Sequence, residues 1–153
     1  SPQFGPIYLY WSPDGTTVSF IAAAPEGGLE LHLAPLEGER RVLARGQPFY
    51  WAWSADSSEL LLHSGFVGEG ARLGLSSAER DTLAENLAAP GAFQAPGLSA
   101  SGQYLAYGEL AFGDRGRLVL RTRPGSSAAL ERSVDHLGLV ALGWSPTEDR
   151  LAF

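Results

Sequence analysis

One short signature recurs four times along the chain, and its spacing limits what the chain can fold into. The copies are Trp11-Ser12-Pro13-Asp14-Gly15, Trp53-Ser54-Ala55-Asp56-Ser57, Leu98-Ser99-Ala100-Ser101-Gly102 and Trp144-Ser145-Pro146-Thr147-Glu148. Their first residues, the anchors, lie 42, 45 and 46 positions apart. A fixed period of this size marks a stack of similar supersecondary units, each burying its apolar face on its neighbours.

The likeness extends past the signature. Seven residues beyond each anchor stands Val18, Leu60, Leu105 or Leu151, and nine beyond stands Phe20, Leu62, Tyr107 or Phe153. At plus 20 come Leu31, Leu73 and Leu118, and at plus 22 come Leu33, Leu75 and Leu120. A spacing of two is the pleat of a β-strand, whereas a helix would repeat near 3.6. A further leucine follows at Leu43, Leu83 and Leu130. Four strands per unit at roughly 40–45 residues is the pattern of a propeller blade.

Each unit therefore reads as strands A to D. Strand A covers residues 7–12, 49–54, 93–99 and 140–145; strand B covers 17–22, 59–64 and 104–109 and begins again at 150. Strand C covers 29–34, 72–76 and 117–122, and a short strand D covers 40–44, 82–84 and 129–133. Pro13, Asp14 and Gly15 supply a preset φ, a side-chain acceptor and tolerance of positive φ, which is what a tight A–B turn requires. Residues 76–89 carry a competing helical pattern, with Ser76 and Glu79 as a capping box and Leu83 and Leu87 one turn apart. The repeat phase makes Leu83 a strand D residue, and the phase is preferred because tertiary context overrides local propensity.

The W-S-P-D-G turn followed by an alternating apolar strand resembles the repeat of TolB-type propellers, also called WD-like or PD-type repeats. A similar repeat occurs in the propeller domains of prolyl-oligopeptidase-like peptidases. The match is clearest over residues 11–20 and 144–153 and weakest at 98–102, where Leu98 replaces Trp and Ser101 replaces Asp. The expected fold is all-β: a partial β-propeller of four-stranded antiparallel blades, about three and a half repeats long. The blades fall near residues 3–47, 48–91 and 92–137, with a partial one at 138–153. Closed propellers have about four to eight blades. The absence of Met and the stop inside a strand at Phe153 read as signs of a piece of a longer propeller, or of a ring completed by another chain. Open blade edges favour association, so a homo-oligomer is a further expectation.

Composition excludes several classes. Eleven Arg, no Lys and 17 acidic residues give a net charge of −6, against nucleic-acid binding, which needs a basic surface. Zero Cys removes disulfides, thiolate nucleophiles and cysteine metal sites. No run of about 18 apolar residues exists to span a membrane. No cofactor or metal site is expected: the signature turns hold Asp14, Asp56, Ser101 and Glu148 but no calcium-loop spacing. The resemblance implies a periplasmic or extracellular location.

Candidate chemistry is sparse. Gly97-Leu98-Ser99-Ala100-Ser101 lacks the final Gly of a nucleophile elbow and sits at a hairpin, so catalysis by Ser99 is not expected. Gly68 to Gly74 misses the spacing of a phosphate loop and precedes no helix. Trp11, Trp53 and Trp144 read as blade-to-blade core, as does Trp51, while His32 and His63 have opposite parity to the core leucines and read as solvated. The variable D–A connections and the B–C loops share one end of the blades, and such loops commonly carry recognition. Phe66, Phe112, Arg115, Arg45 and His136 are the candidate partner-binding residues there. The expected function is a non-catalytic scaffold or binding module for a protein or peptide. The alternative is the propeller of a prolyl-oligopeptidase-like serine peptidase whose catalytic domain lies outside this segment.

Overall fold

A computed structural model describes residues 6–47, 49–66, 70–79, 95–110, 115–127, 129–138 and 141–153. Among these the architecture is all-β. Strands β1 (Ile7–Trp11), β2 (Thr17–Ala23), β3 (Leu29–Pro35) and β4 (Arg41–Gly46) form one antiparallel meander. A second contains β5 (Phe49–Trp53), β6 (Glu59–Phe66) and β7 (Gly70–Ser77). The third contains β8 (Gly97–Leu98), β9 (Tyr104–Leu110), β10 (Arg115–Thr122) and β11 (Glu131–Leu137). A last pair, β12 (Gly143–Trp144) and β13 (Leu151–Ala152), begins a fourth. In each sheet every strand pairs with its sequence neighbour, as local connections favour. We call these sheets blades one to four.

The sheets stack face to face. Ile21, Leu31, Leu33 and Leu43 of the first blade pack on Phe49, Trp51, Leu60 and Leu62 of the second. The second blade turns Leu61, Leu73 and Leu75 to Leu98, Leu105, Tyr107 and Val119 of the third. The leucines at plus 20 and plus 22 thus form one face of a blade, and the anchor with its plus 7 and plus 9 residues forms the opposite face.

This stacking corrects three readings. His32 and His63 are buried rather than solvated. His63 shares a face with Leu73 toward the third blade, so opposite parity to its own strand's core leucines means the other interior; His32 lies on the outer face of the first blade and is covered within that blade by Phe20 and Glu30. His32 stacks on Phe20 with ring centroids 5.0 Å apart, and His63 tilts against Tyr50 at 5.7 Å. Trp51 and Trp53 pack in the interface, and Trp11 is 53% exposed on a blade face against which no other sheet lies among the described residues. Strand D of the third blade runs over Glu131–Leu137, later than its leucine phase placed it, since Leu130 lies just before the strand. Ser76 and Ser77 lie in β7, so no helix is capped at Ser76; residues 80–94, including the expected second strand D, lie outside the described residues.

Candidate functional site

The signature turns are built by one recurring hydrogen-bond pattern. Ser12 Oγ donates to Asp14 Oδ1 at 2.6 Å and accepts the Thr17 amide at 3.0 Å, while Asp14 Oδ1 also accepts the Thr16 amide and hydroxyl. The second blade repeats this with Ser54, Asp56, Ser58 and Glu59 at 2.6 to 3.0 Å. The Ser12 hydroxyl, then the Thr16 amide, hold the Asp14 carboxyl below its ordinary range; the Ser54 and Ser58 hydroxyls do the same for Asp56. In the third blade Ser101 stands where the carboxylate should be. Its hydroxyl takes part of that role, accepting the Gln103 amide at 3.2 Å, and Asp149 of the fourth turn bonds it from outside, as Ser57 does Asp14: Asp149 Oδ1 accepts the Ser101 amide at 2.9 Å and its Oδ2 the Ser101 hydroxyl at 2.7 Å. Those two bonds lower the Asp149 pKa. Ser99 is part of this turn: buried, it accepts the Tyr104 amide at 3.2 Å and sits 3.3 Å from Ser101 Oγ.

The blade interfaces carry the less regular chemistry. Ser19 Oγ accepts Trp51 Nε1 at 2.8 Å and Trp53 Nε1 at 2.9 Å, and donates to the Tyr10 carbonyl at 3.0 Å. Arg41 reaches from the first blade to the Ala78 carbonyl of the second. Arg123 reaches from the third back to Glu59 of the second at 2.7 Å. Glu30 is buried between His32 Nε2 at 3.2 Å and Arg45 at 2.8 Å.

A concavity lies between the third blade and the β12–β13 pair. It is an open groove of about 440 Å³ lined by Leu118, Leu120, Leu130, Val134, Trp144, Leu151 and Phe153, with Arg132 and Asp149 at its polar positions. In β10 and β11, Leu118 pairs with Val134 and Leu120 with Arg132, so the apolar floor is one face of the sheet. Arg132 donates to the neighbouring Glu131 carbonyl at 2.9 Å. Trp144 Nε1 is buried in the wall with no hydrogen-bond partner.

The four predicted site residues that are described share one end of the blades, inside strands rather than loops. Arg45 lies near the end of β4, Phe66 closes β6, Arg115 opens β10 and His136 lies near the end of β11; Phe112 lies outside the described residues. Arg45 is tied to Glu30 in the first blade. Arg115 pairs with Leu137 and Gly116 with His136, which brings these two candidates together in the third blade. The His136 ring lies flat on Gly116, where any Cβ would collide with it, on the same sheet face as the groove floor. Sequence reasoning missed the groove residues Leu118, Leu120, Arg132 and Val134 as a surface. The available signal was that the plus 20 and plus 22 leucines recur in the third unit, on the face that meets the fourth. Among the described residues no cluster of three His, Asp or Glu could hold a metal, and no helix is long and apolar enough to cross a membrane.

No family model and no curated protein matches the chain. Solved structures do. TolB from Acinetobacter baumannii superposes with a TM-score of 0.63 at 19% identity, over 81% of this chain and 33% of that one. A putative TolB from Agrobacterium tumefaciens gives 0.62 at 18%, over 82% and 47%. The β-propeller domain of the Trilobed protease from Pyrococcus furiosus, described as having an open velcro topology, gives 0.61 at 16%, over 90% and 45%. The fold is that of a TolB-like β-propeller, and the chain spans between a third and a half of the length of these propellers.

Proposed function

We propose that the chain is a non-catalytic, partner-binding portion of a β-propeller that holds a protein or peptide. The observation that supports this reading is the apolar groove on the third blade, where Leu120 is half-buried and Val134 exposed over a buried Leu118, with Arg132 and Asp149 as its charged groups. Recognition sites of this kind combine an apolar concavity with a few polar groups. The candidate residues Arg115, His136, Phe66, Phe112 and Arg45 belong to the same reading as further contacts for that partner. An extracytoplasmic location completes it, on the strength of the TolB resemblance. The test is a photo-crosslinking side chain at Val134, which is exposed, in the full protein in its native cells. The reading expects one defined polypeptide adduct from Val134 and none from a control at Thr147 on the turn. Equal labelling at both positions, or adducts to no polypeptide, would reject it.

The second reading is the propeller of a prolyl-oligopeptidase-like serine peptidase. The likeness to a protease propeller domain over most of this chain favours it. A hydrolase domain with a nucleophile elbow in the same polypeptide would support this reading; flanking sequence made only of further W-S-P-D-G repeats would support the first.

A further inference from the structure

In the first and third blades the fourth strand lies outermost, and among the described residues no strand pairs with its outer side. The two outer strands, β4 and β11, differ. The pairing of β4 with β3 is broken by a register shift between Leu31 and His32, an irregularity that blunts an edge. By contrast, β11 keeps an unshifted register with β10 along Glu131–Leu137 and contains no Pro, Lys or Gly. Every residue in it but the half-buried His136 is exposed. A long, regular, uncovered edge is a template for a further strand.

The backbone fixes which residues look outward. The Thr122 amide donates to the Leu130 carbonyl at 2.9 Å, so Leu130, just before β11, bonds inward. Alternation in an antiparallel ladder then turns the backbone groups of Arg132, Val134 and His136 toward β10, and those of Glu131, Ser133, Asp135 and Leu137 outward. Side chains decide what can pair there. If β11 meets its own copy antiparallel about a two-fold axis, centring on Ser133 sets Glu131 opposite Asp135, and centring on Asp135 sets two Asp135 carboxylates face to face. Like charges directly opposite destabilise a sheet. Centring on Val134 uses the whole strand and opposes no two carboxylates. It sets Val134 on Val134, Arg132 beside His136, Ser133 beside Asp135 and Glu131 beside Leu137. The last two pairs join outward residues, so each exchanges backbone hydrogen bonds.

We propose that the outer edge of β11 is an interface with a second copy of this chain. The two edges pair antiparallel about Val134, so that two third blades form one continuous sheet. Each Ser133 hydroxyl then stands opposite Asp135 of the other copy, a carboxylate that Arg117 holds in place at 3.0 Å. An edge of this length buries less surface than a standard interface, so the dimer dissociates on dilution. The interface uses the backbone edge of β11 rather than the groove on its face, and it does not depend on a partner in that groove.

The test is the mass of the full protein in solution over a rising concentration series, with hydrogen exchange read amide by amide. The expected result is a reversible monomer–dimer equilibrium. The amides of Glu131, Ser133, Asp135 and Leu137 should slow as the dimer forms, while those of Arg132, Val134 and His136 are slow throughout. Ser133→Asp should weaken the dimer by ~5-fold or more, because the repulsion with Asp135 occurs twice across the axis. Ser133→Arg should strengthen it by a similar factor, since it meets the same carboxylate. Ser133 is exposed, and melting temperatures in dilute solution check that both variants keep the fold; the exchange pattern of the unaltered protein stands by itself. A monomer at every concentration would overturn the proposal. So would a dimer whose outward amides exchange at the monomer's rate, or Ser133→Asp and Ser133→Arg shifting the equilibrium in the same direction.

Discussion

Ser19 Oγ accepts the indole N–H of Trp53 across the first blade interface at 2.9 Å, while also accepting Trp51. One fully buried hydroxyl thus satisfies two indoles of the next blade. Buried donors left without an acceptor each cost ~1–3 kcal/mol. Ser19→Ala should therefore lower unfolding stability by ~2–4 kcal/mol in urea titration, and Ser19→Thr should recover part of it. A loss within experimental error would mean that water replaces the hydroxyl.

Ser19 stands at plus 8, and the same position explains the unsatisfied indole of the fourth blade. The plus 8 residues are Ser19, Leu61 and Ala106, and the anchors they face are Trp53, Leu98 and Trp144. Hydroxyl meets indole, leucine meets leucine, but Ala106 offers Trp144 no acceptor, and Trp144 Nε1 is left unpaired. Gly97, which pairs with Ala106, lies directly under the indole: a Cβ there would stand 2.7 Å from Trp144 Cδ1. Ala106→Ser should stabilise the protein by ~0.5–1.5 kcal/mol, the net worth of one buried hydrogen bond. In a Trp144→Phe background the gain should vanish, which a double-mutant cycle measures directly.

Ser57 has a φ of 63° at the turn position where the first and third blades use Gly15 and Gly102, with φ of 71° and 70°. A non-glycine residue pays about 1–2 kcal/mol there. Glycine is nevertheless a poor replacement, because Ser57 Oγ accepts the Asp14 amide at 3.1 Å and ties two turns together. Asparagine tolerates the left-handed region and keeps an acceptor. Ser57→Asn should raise stability by ~0.5–1 kcal/mol on the cost just given, and Ser57→Val should lower it. A thermal melt of the three proteins separates the backbone effect from the hydrogen bond.

Strand order and the two apolar faces were legible in the sequence because both depend on local signals. The serine and aspartate of each turn fix where strand A ends and strand B begins, and from there a period of two assigns Leu31, Leu73 and Leu118 to one face. The chemistry between blades was not legible, because it pairs residues from different repeats. Asp149 accepts the amide and hydroxyl of Ser101 from 48 residues away, and no single repeat contains both halves of that link. Alternation assigns a face but not its burial: the face of His63 is covered by the third blade, and His32 is covered by Phe20 and Glu30 of its own blade. The strands run further than their apolar pattern, so the candidates Arg115 and His136 lie in the sheet rather than in loops, on opposite faces of it.

Burial against Phe20, then the nearby Arg40 charge, push the His32 pKa below its usual 6.5; the Glu30 carboxylate opposes them with a smaller pull upward. A histidine depressed in the folded state takes up its proton more readily when unfolded. The stability it protects is complete above the unfolded value of 6.5 and is lost as pH falls from there through the folded value. The melting temperature should therefore fall between pH 7 and pH 5. His32→Phe should flatten that slope, with Glu30 still held by Arg45. An unchanged slope in His32→Phe would move the titration to another group.

The Asp149 to Ser101 contact makes a sharper prediction about charge. A depressed carboxylate contributes stability that is present above its unfolded pKa near 3.8 and disappears as pH falls through the folded value. Asp14, Asp56 and Asp149 all belong to this class, so the wild-type protein should lose stability in acid below that point. Ser101→Asp restores the turn's own carboxylate but sets it against Asp149, and two carboxylates sharing one site raise one pKa. Its sign is therefore reversed: the variant should melt lower than wild type at pH 7 and recover toward pH 4.5, as the shared proton binds. Adding Asp149→Ser removes the repulsion and rebuilds the pattern of the first two turns. The double variant should regain the wild-type melting temperature at pH 7. Melting curves of the three proteins at both pH values give the comparison, and a single variant as stable as wild type at pH 7 would show that the two turns do not meet.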